Sequence, residues 1–118
     1  RNARDLLYVG NLADLIEVLV RHPQAAGQIL LAKDGAPLST PALITAVGAA
    51  LGRAPRCLPF PVGLLRLGGR LVGASALVAR LTDDLRVDDR ATRARLSWAP
   101  PTAFMDAVQE TARWYRTL

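Results

Sequence analysis

The 118-residue chain is 51% hydrophobic and 21% charged, the balance of a globular chain with one modest core and not of a disordered one. Its net charge of +5 is almost wholly arginine, with Lys33 the sole lysine. Arginine forks suit phosphate and carboxylate, but these are spread along the chain and mark no nucleic-acid surface by themselves. One cysteine, Cys57, and one histidine, His22, exclude an internal disulfide and a Cys/His metal centre, and leave no base for a catalytic triad.

In chain order, residues 6–9 form a short apolar run ending at Gly10. Asn11 stands where a helix N-cap is expected, and Leu12, Leu15, Ile16, Leu19 and Val20 follow at helical spacing. Asp14 and Glu17 lie early in that helix, Arg21 and His22 in its last turn, and Pro23 stops it. Residues 28–32 (QILLA) predict a short strand closed by the turn dipeptide Asp34-Gly35. Ser39-Thr40-Pro41 opens a helix with Leu43, Ile44, Val47, Ala50 and Leu51 on one face, ended by Gly52. Residues 56–60, between Pro55 and Pro61, predict a second strand in which Cys57 is a buried thiol.

Residues 62–81 predict two short helices broken around 73–75. The stretch is apolar, but Arg66, Gly68, Gly69, Arg70 and Arg80 interrupt it too often for a membrane span. A brief extended segment at 85–87 precedes a helix capped by Asp88 or Asp89 and running to Leu96. Trp98 reads as a core anchor, and Thr102 as the cap of a last helix with Phe104, Val108, Ala112 and Tyr115 on one face. The expected fold class is therefore α+β, a small, mostly helical lobe with two or three short strands. It forms one domain over 1–118 that completes a larger protein. The polar start at Arg1, without an initiator methionine or a signal peptide, matches an excised domain, and a cytoplasmic location is the default expectation.

Several motifs are missing. No strand is followed by a GxGxxG or GxxGxxG turn; Gly68, Gly69 and Gly73 have the wrong spacing and suit helix packing. Capping and turn roles fit Asp83-Asp84 and Asp88-Asp89 better than acid–base work.

Four stretches carry a resemblance. Residues 4–14, Arg4-Asp5-Leu6-Leu7-Tyr8-Val9-Gly10-Asn11-Leu12-Ala13-Asp14, resemble the R-D-[FLY]-[IVL]-[HY]-V-x-[DN]-[LV]-[AV]-[DE] segment of extended short-chain dehydrogenases. Residues 88–101 resemble D-x-[ST]-[KR]-A-x-x-x-L-G-[WF]-x-P, with Ser97 where Gly is common and Ala91 and Ala94 offering two alignments. Leu38-Ser39-Thr40-Pro41-Ala42-Leu43 is similar to the -[LIV]-[ST]-x-x-E-L- helix start, with Ala42 in place of Glu. Residues 108–115 resemble the terminal helix. In this order and at these separations they resemble the C-terminal, substrate-binding part of the NAD-dependent epimerase/dehydratase family, of the UDP-glucose 4-epimerase type.

The resemblance implies the C-terminal part of an NAD(P)-binding Rossmann-type enzyme, which grips the diphosphate of a nucleotide-sugar substrate. Arg4 maps onto the family's phosphate-contacting arginine. Arg80 and Asp83 are the nearest match to a second arginine on phosphate and a carboxylate on the ribose. The family's Tyr-x-x-x-Lys pair has no counterpart, since neither Tyr8 nor Tyr115 has Lys at i+4. The resemblance therefore places catalysis and NAD(P) in the intact enzyme's other half and implies no catalytic, cofactor-binding or metal residue here, so the isolated chain is expected to be inactive.

Two other readings stay open. A stand-alone basic module for nucleic acid or a protein partner would use Arg86, Arg90, Arg93 and Arg95, which share a helix face only in part. An interface lobe, for a homodimer or a second domain, would show a large apolar patch.

Overall fold

The computed structural model describes residues 2–57 and 60–118. Among these it contains six helices, α1 (Val9–Arg21), α2 (Thr40–Ala50), α3 (Val62–Leu71), α4 (Ser75–Thr82), α5 (Arg90–Leu96) and α6 (Phe104–Tyr115).

The helices follow the apolar spacing, but their starts do not all follow the expected caps. At α2, Ser39 Oγ accepts from the Ala42 N–H at 3.3 Å and Pro41 sits in the first turn, as read. At α1, Tyr8 is the N-cap and offers no side-chain bond. Asp34 acts instead, its Oδ2 accepting from the Tyr8 N–H at 2.7 Å, which sets a carboxylate at the positive end of the helix dipole. Asn11, expected to cap, lies inside the first turn at 0% exposure. Its Nδ2 donates to Asp34 Oδ1 (2.8 Å) and to the Thr102 carbonyl (3.0 Å), and its Oδ1 accepts from the Thr102 N–H (2.9 Å). Asn11 thus occupies Thr102, and the N-cap of α6 passes to Ala103.

The α+β expectation is overturned: among the described residues the fold is helical, and extended chain meets only at isolated bridges, Arg4 with Leu38 and Arg4 with Leu85. Segment 28–32 shows the period-two pattern of extended chain, with Ile29 96% and Leu31 52% exposed while Leu30 and Ala32 pack inward. Among the described residues it pairs with no other segment. Alternation specifies an extended backbone, whereas a strand also needs a partner ladder, a non-local requirement that the local pattern does not encode. Segment 85–87 likewise makes one bridge, through Leu85. In 56–60, Leu58 and Pro59 lie outside the described residues, the others have no pairing, and Cys57 is exposed, not buried.

The core joins Leu15 of α1 to Leu96 and Trp98, with Val18, Leu19, Ala25, Leu30 and Ala32 around them. Trp98 anchors it as expected: the residue is 6% exposed, its Nε1 donates to Asp14 Oδ2 at 2.8 Å, and the Arg93 guanidinium lies 5.9 Å from the ring centre. α2 packs on α6, and α3 on α4 as a helical hairpin. Gly73, at φ 70°, makes the hairpin turn. Gly69 lets the two helices close: a Cβ there would lie 2.7 Å from Val78 Cγ2. No helix among the described residues is long and apolar enough to cross a membrane.

Candidate functional site

Three residues expected to act together, Arg4, Arg80 and Asp83, meet at the C-terminal end of α4. The pairing of Arg4 with Leu38 and Leu85 lays its side chain against that end. Its Nη1 donates to the Arg80 carbonyl and, at 3.1 Å, to the Asp83 carbonyl. The next free carbonyl, that of Leu81, accepts from Asn2 Nδ2 (3.1 Å) and Thr40 Oγ1 (3.0 Å). The last carbonyls of a helix lack internal partners and carry partial negative charge. A guanidinium and two neutral donors from the N-terminal segment and α2 therefore cap α4.

The three side chains do not converge on one point. Arg4 spends donors on the main chain of the other two. The Asp83 carboxylate accepts from Arg66 Nη2 at 2.7 Å, with both side chains about half exposed. The Arg80 side chain is exposed and has no ion-pair partner among the described residues. Arg66 was not singled out from sequence. Its only signals are a second arginine four residues on, Arg70, which puts both on one face of α3, and a carboxylate beyond the next turn.

Three buried carboxylates, Asp5, Asp34 and Asp89, lie in and around loop 33–35. Asp5, of the R-D motif, is 5% exposed; its Oδ2 accepts from the Val87 N–H (2.7 Å) and from Lys33 Nζ (3.2 Å), while its buried Oδ1 has no partner. Burial pushes this carboxyl up, but the Val87 bond and the charges of Lys33 and Arg86 outweigh it and leave it below its ordinary value. Asp34 holds Tyr8 and Asn11. Asp89 accepts from Arg93 Nε, and Arg93 Nη2 also donates to the carbonyls of Lys33 (3.1 Å) and Asp34 (2.8 Å). Each carboxylate is engaged by its own neighbours, Asp5 through one oxygen only, an arrangement that ties this part of the α1–α2 connection to α1 and α5.

Three of the four arginines that suggested a basic module are matched locally, and Arg95 is exposed without an ion-pair partner among the described residues. Arg86 lies 3.7 Å from Asp84, Arg90 2.6 Å from Asp88, and Arg93 pairs with Asp89. The Arg90 guanidinium holds the Asp88 carboxyl down at about 2.

A groove of about 510 Å³ runs between residues 6–9, α2 and α6. Its walls are the two helix faces read from the sequence, with Leu43, Val47 and Leu51 opposite Phe104, Val108 and Ala112. At its edge Tyr8 Oη donates to Glu110, a bond that raises the phenol above its ordinary value. The groove is mainly apolar, and of its titratable lining residues Tyr8 is already engaged by Glu110, and Asp34 by Asn11 and the Tyr8 N–H. Among the described residues no group of three or more His, Cys, Asp or Glu could hold a metal ion.

No family model matches the chain, and no solved structure matches it. Over 113 residues, 96% of the chain, it is 37% identical to a UDP-glucose 4-epimerase of Vibrio cholerae. The chain spans about a third of that protein's length, 34%, and matches a C-terminal fragment of it.

Proposed function

We propose that the chain is the substrate-binding, C-terminal part of a nucleotide-sugar epimerase or dehydratase, one domain over 1–118, which grips the diphosphate of its substrate. The observation that carries this is the 37% identity across 96% of the chain to an epimerase three times as long. The R-D motif, the residue 88–101 segment and the terminal helix fall in the order the resemblance requires.

Within this reading, the Arg80 guanidinium is a phosphate contact, because no ion pair among the described residues competes for it. Asp83 is the ribose acceptor, with Arg66 holding its carboxylate until hydroxyls replace that bond. Arg4 acts at the same place, its Nη1 capping the backbone that carries both and the rest of its fork left for the phosphate contact that the resemblance implies.

The residues here do not fit NAD(P). A dinucleotide diphosphate needs a glycine-rich turn between a strand and a helix, whereas Gly68 and Gly69 lie inside α3 and Gly69 serves the contact with Val78. The cofactor and the chemistry are assigned to the remainder of the intact enzyme, and the isolated chain is expected to bind no NAD(P) and to turn nothing over.

The reading frame upstream of Arg1 tests this directly. It should encode a glycine-rich turn after a strand and a Tyr-x-x-x-Lys helix; a frame encoding neither sinks the epimerase reading. Calorimetry with UDP-glucose on the Arg80→Gln variant tests the site residue, and unchanged affinity would remove Arg80 from it.

A further inference from the structure

We propose that the cleft between α3 and α4 is an anion site, with Arg66 and Arg70 as the donors to a phosphate or diphosphate group. The proposal rests on the nucleotide-sugar reading only for the identity of the molecule that bears the phosphate. The cleft holds about 330 Å³ and is lined by Arg66, Arg70, Ser75, Val78, Ala79 and Asp83, a size within the range of small-ligand sites. Arg80 is not among these residues, so the donors differ from the arginine that the resemblance singles out, while Asp83 borders both places.

The charges in the cleft are unbalanced. Arg66 and Arg70 stand four residues apart on α3, about 6 Å along its axis, where like charges repel each other and weaken a helix. Asp83 answers one of them, through a single Arg66 N–H at 2.7 Å. A guanidinium has five such donors, so most of the Arg66 fork stays open, and Arg70 has no ion-pair partner among the described residues. Two cations facing one carboxylate leave a net positive cleft that a phosphate would neutralise.

The far end of the cleft adds donors of another kind. Ser75 opens α4, and Ala74 at the N-cap supplies no side-chain acceptor. Among the described residues the first-turn N–H groups therefore have no capping side chain and remain available at the positive end of the helix. Gly69 brings α3 onto Val78 at the floor of the cleft, holding the two forks along one wall.

The 118-residue chain should be titrated by calorimetry with inorganic pyrophosphate, UDP, UDP-glucose and a 12-nucleotide single strand. Arg66→Gln, Arg70→Gln and Arg80→Gln should be measured beside it, with circular dichroism to show that each retains its helix content. The expectation is pyrophosphate and UDP binding that weakens with salt and falls about tenfold in each of the Arg66 and Arg70 variants. Arg66→Lys, which keeps charge without the fork, should recover part of the loss. Pyrophosphate binding without preference for UDP or UDP-glucose would support the cleft and fail the nucleotide-sugar reading. UDP binding lost in Arg80→Gln but unchanged in both α3 variants would do the reverse. Absence of any anion binding, or binding of the oligonucleotide alone, overturns the cleft.

Discussion

Replacing Asn11 by Asp changes one atom's chemistry at a fully buried position, and its effect follows from the three bonds the amide makes. Oδ1 would still accept from the Thr102 N–H, but the Thr102 carbonyl would lose its donor. A carboxylate oxygen would also face Asp34 Oδ1 across a gap that is 2.8 Å in the native pair. Each buried group left without its partner costs about 1–3 kcal/mol, and two carboxylates at that distance cannot both stay ionised. A loss of about 3–5 kcal/mol at neutral pH follows. Without Asp34, Asp at this place in α1 would gain up to about 1 kcal/mol from the helix dipole, so the two effects have opposite signs and the tertiary contact decides. The shared proton raises one folded-state pKa above its unfolded value, so stability returns as pH falls through that raised pKa and is lost again as it rises. Urea denaturation of both proteins at pH 7.5 and pH 4.5 measures this, and the deficit should shrink at the lower pH. An Asn11→Asp protein as stable as the parent at pH 7.5, or one whose deficit grows in acid, would refute the reasoning. The pattern that residues 4–14 resemble admits Asp or Asn here; opposite Asp34, Asn is the one that fits.

Other substitutions probe separate contacts. Ser97 ends α5 in the left-handed region at φ 49°, so Ser97→Gly should stabilise by about 1 kcal/mol, read as a higher thermal midpoint. Gly69→Ala sets a methyl 2.7 Å from Val78 Cγ2 and should cost about 1–3 kcal/mol; pairing it with Val78→Ala should recover part of that. Asp5→Asn removes the charge opposite Lys33 and should cost about 1–3 kcal/mol at neutral pH. Because the Asp5 carboxyl lies below its ordinary value when folded, its contribution is present above the unfolded carboxylate range. It fades as pH falls through the lower folded value, so the gap between parent and variant should close below about pH 4.

Periodicity and punctuation determined the helices. Leu12, Leu15, Ile16 and Leu19 mark α1, Ser39 and Pro41 open α2, the Gly73 region splits α3 from α4, and Trp98 is a core anchor, because helical spacing and turn chemistry are properties of neighbouring residues. The four stretches beginning at Arg4, Leu38, Asp88 and Val108 carried the resemblance for the same local reason. What passed through space was decided by the tertiary structure. The alternation at 28–32 produced extended chain but no strand, since a ladder needs a second segment in register. Asn11 gave up the capping role because Asp34 and Thr102, far away in sequence, claim its amide. Arg4 turned to the carbonyls at the end of α4 because bridges to Leu38 and Leu85 carry it there, and Arg66 entered the candidate site only when the α3–α4 hairpin set it beside Asp83. A side chain's type limits which bonds it can make, and packing alone selects the partner.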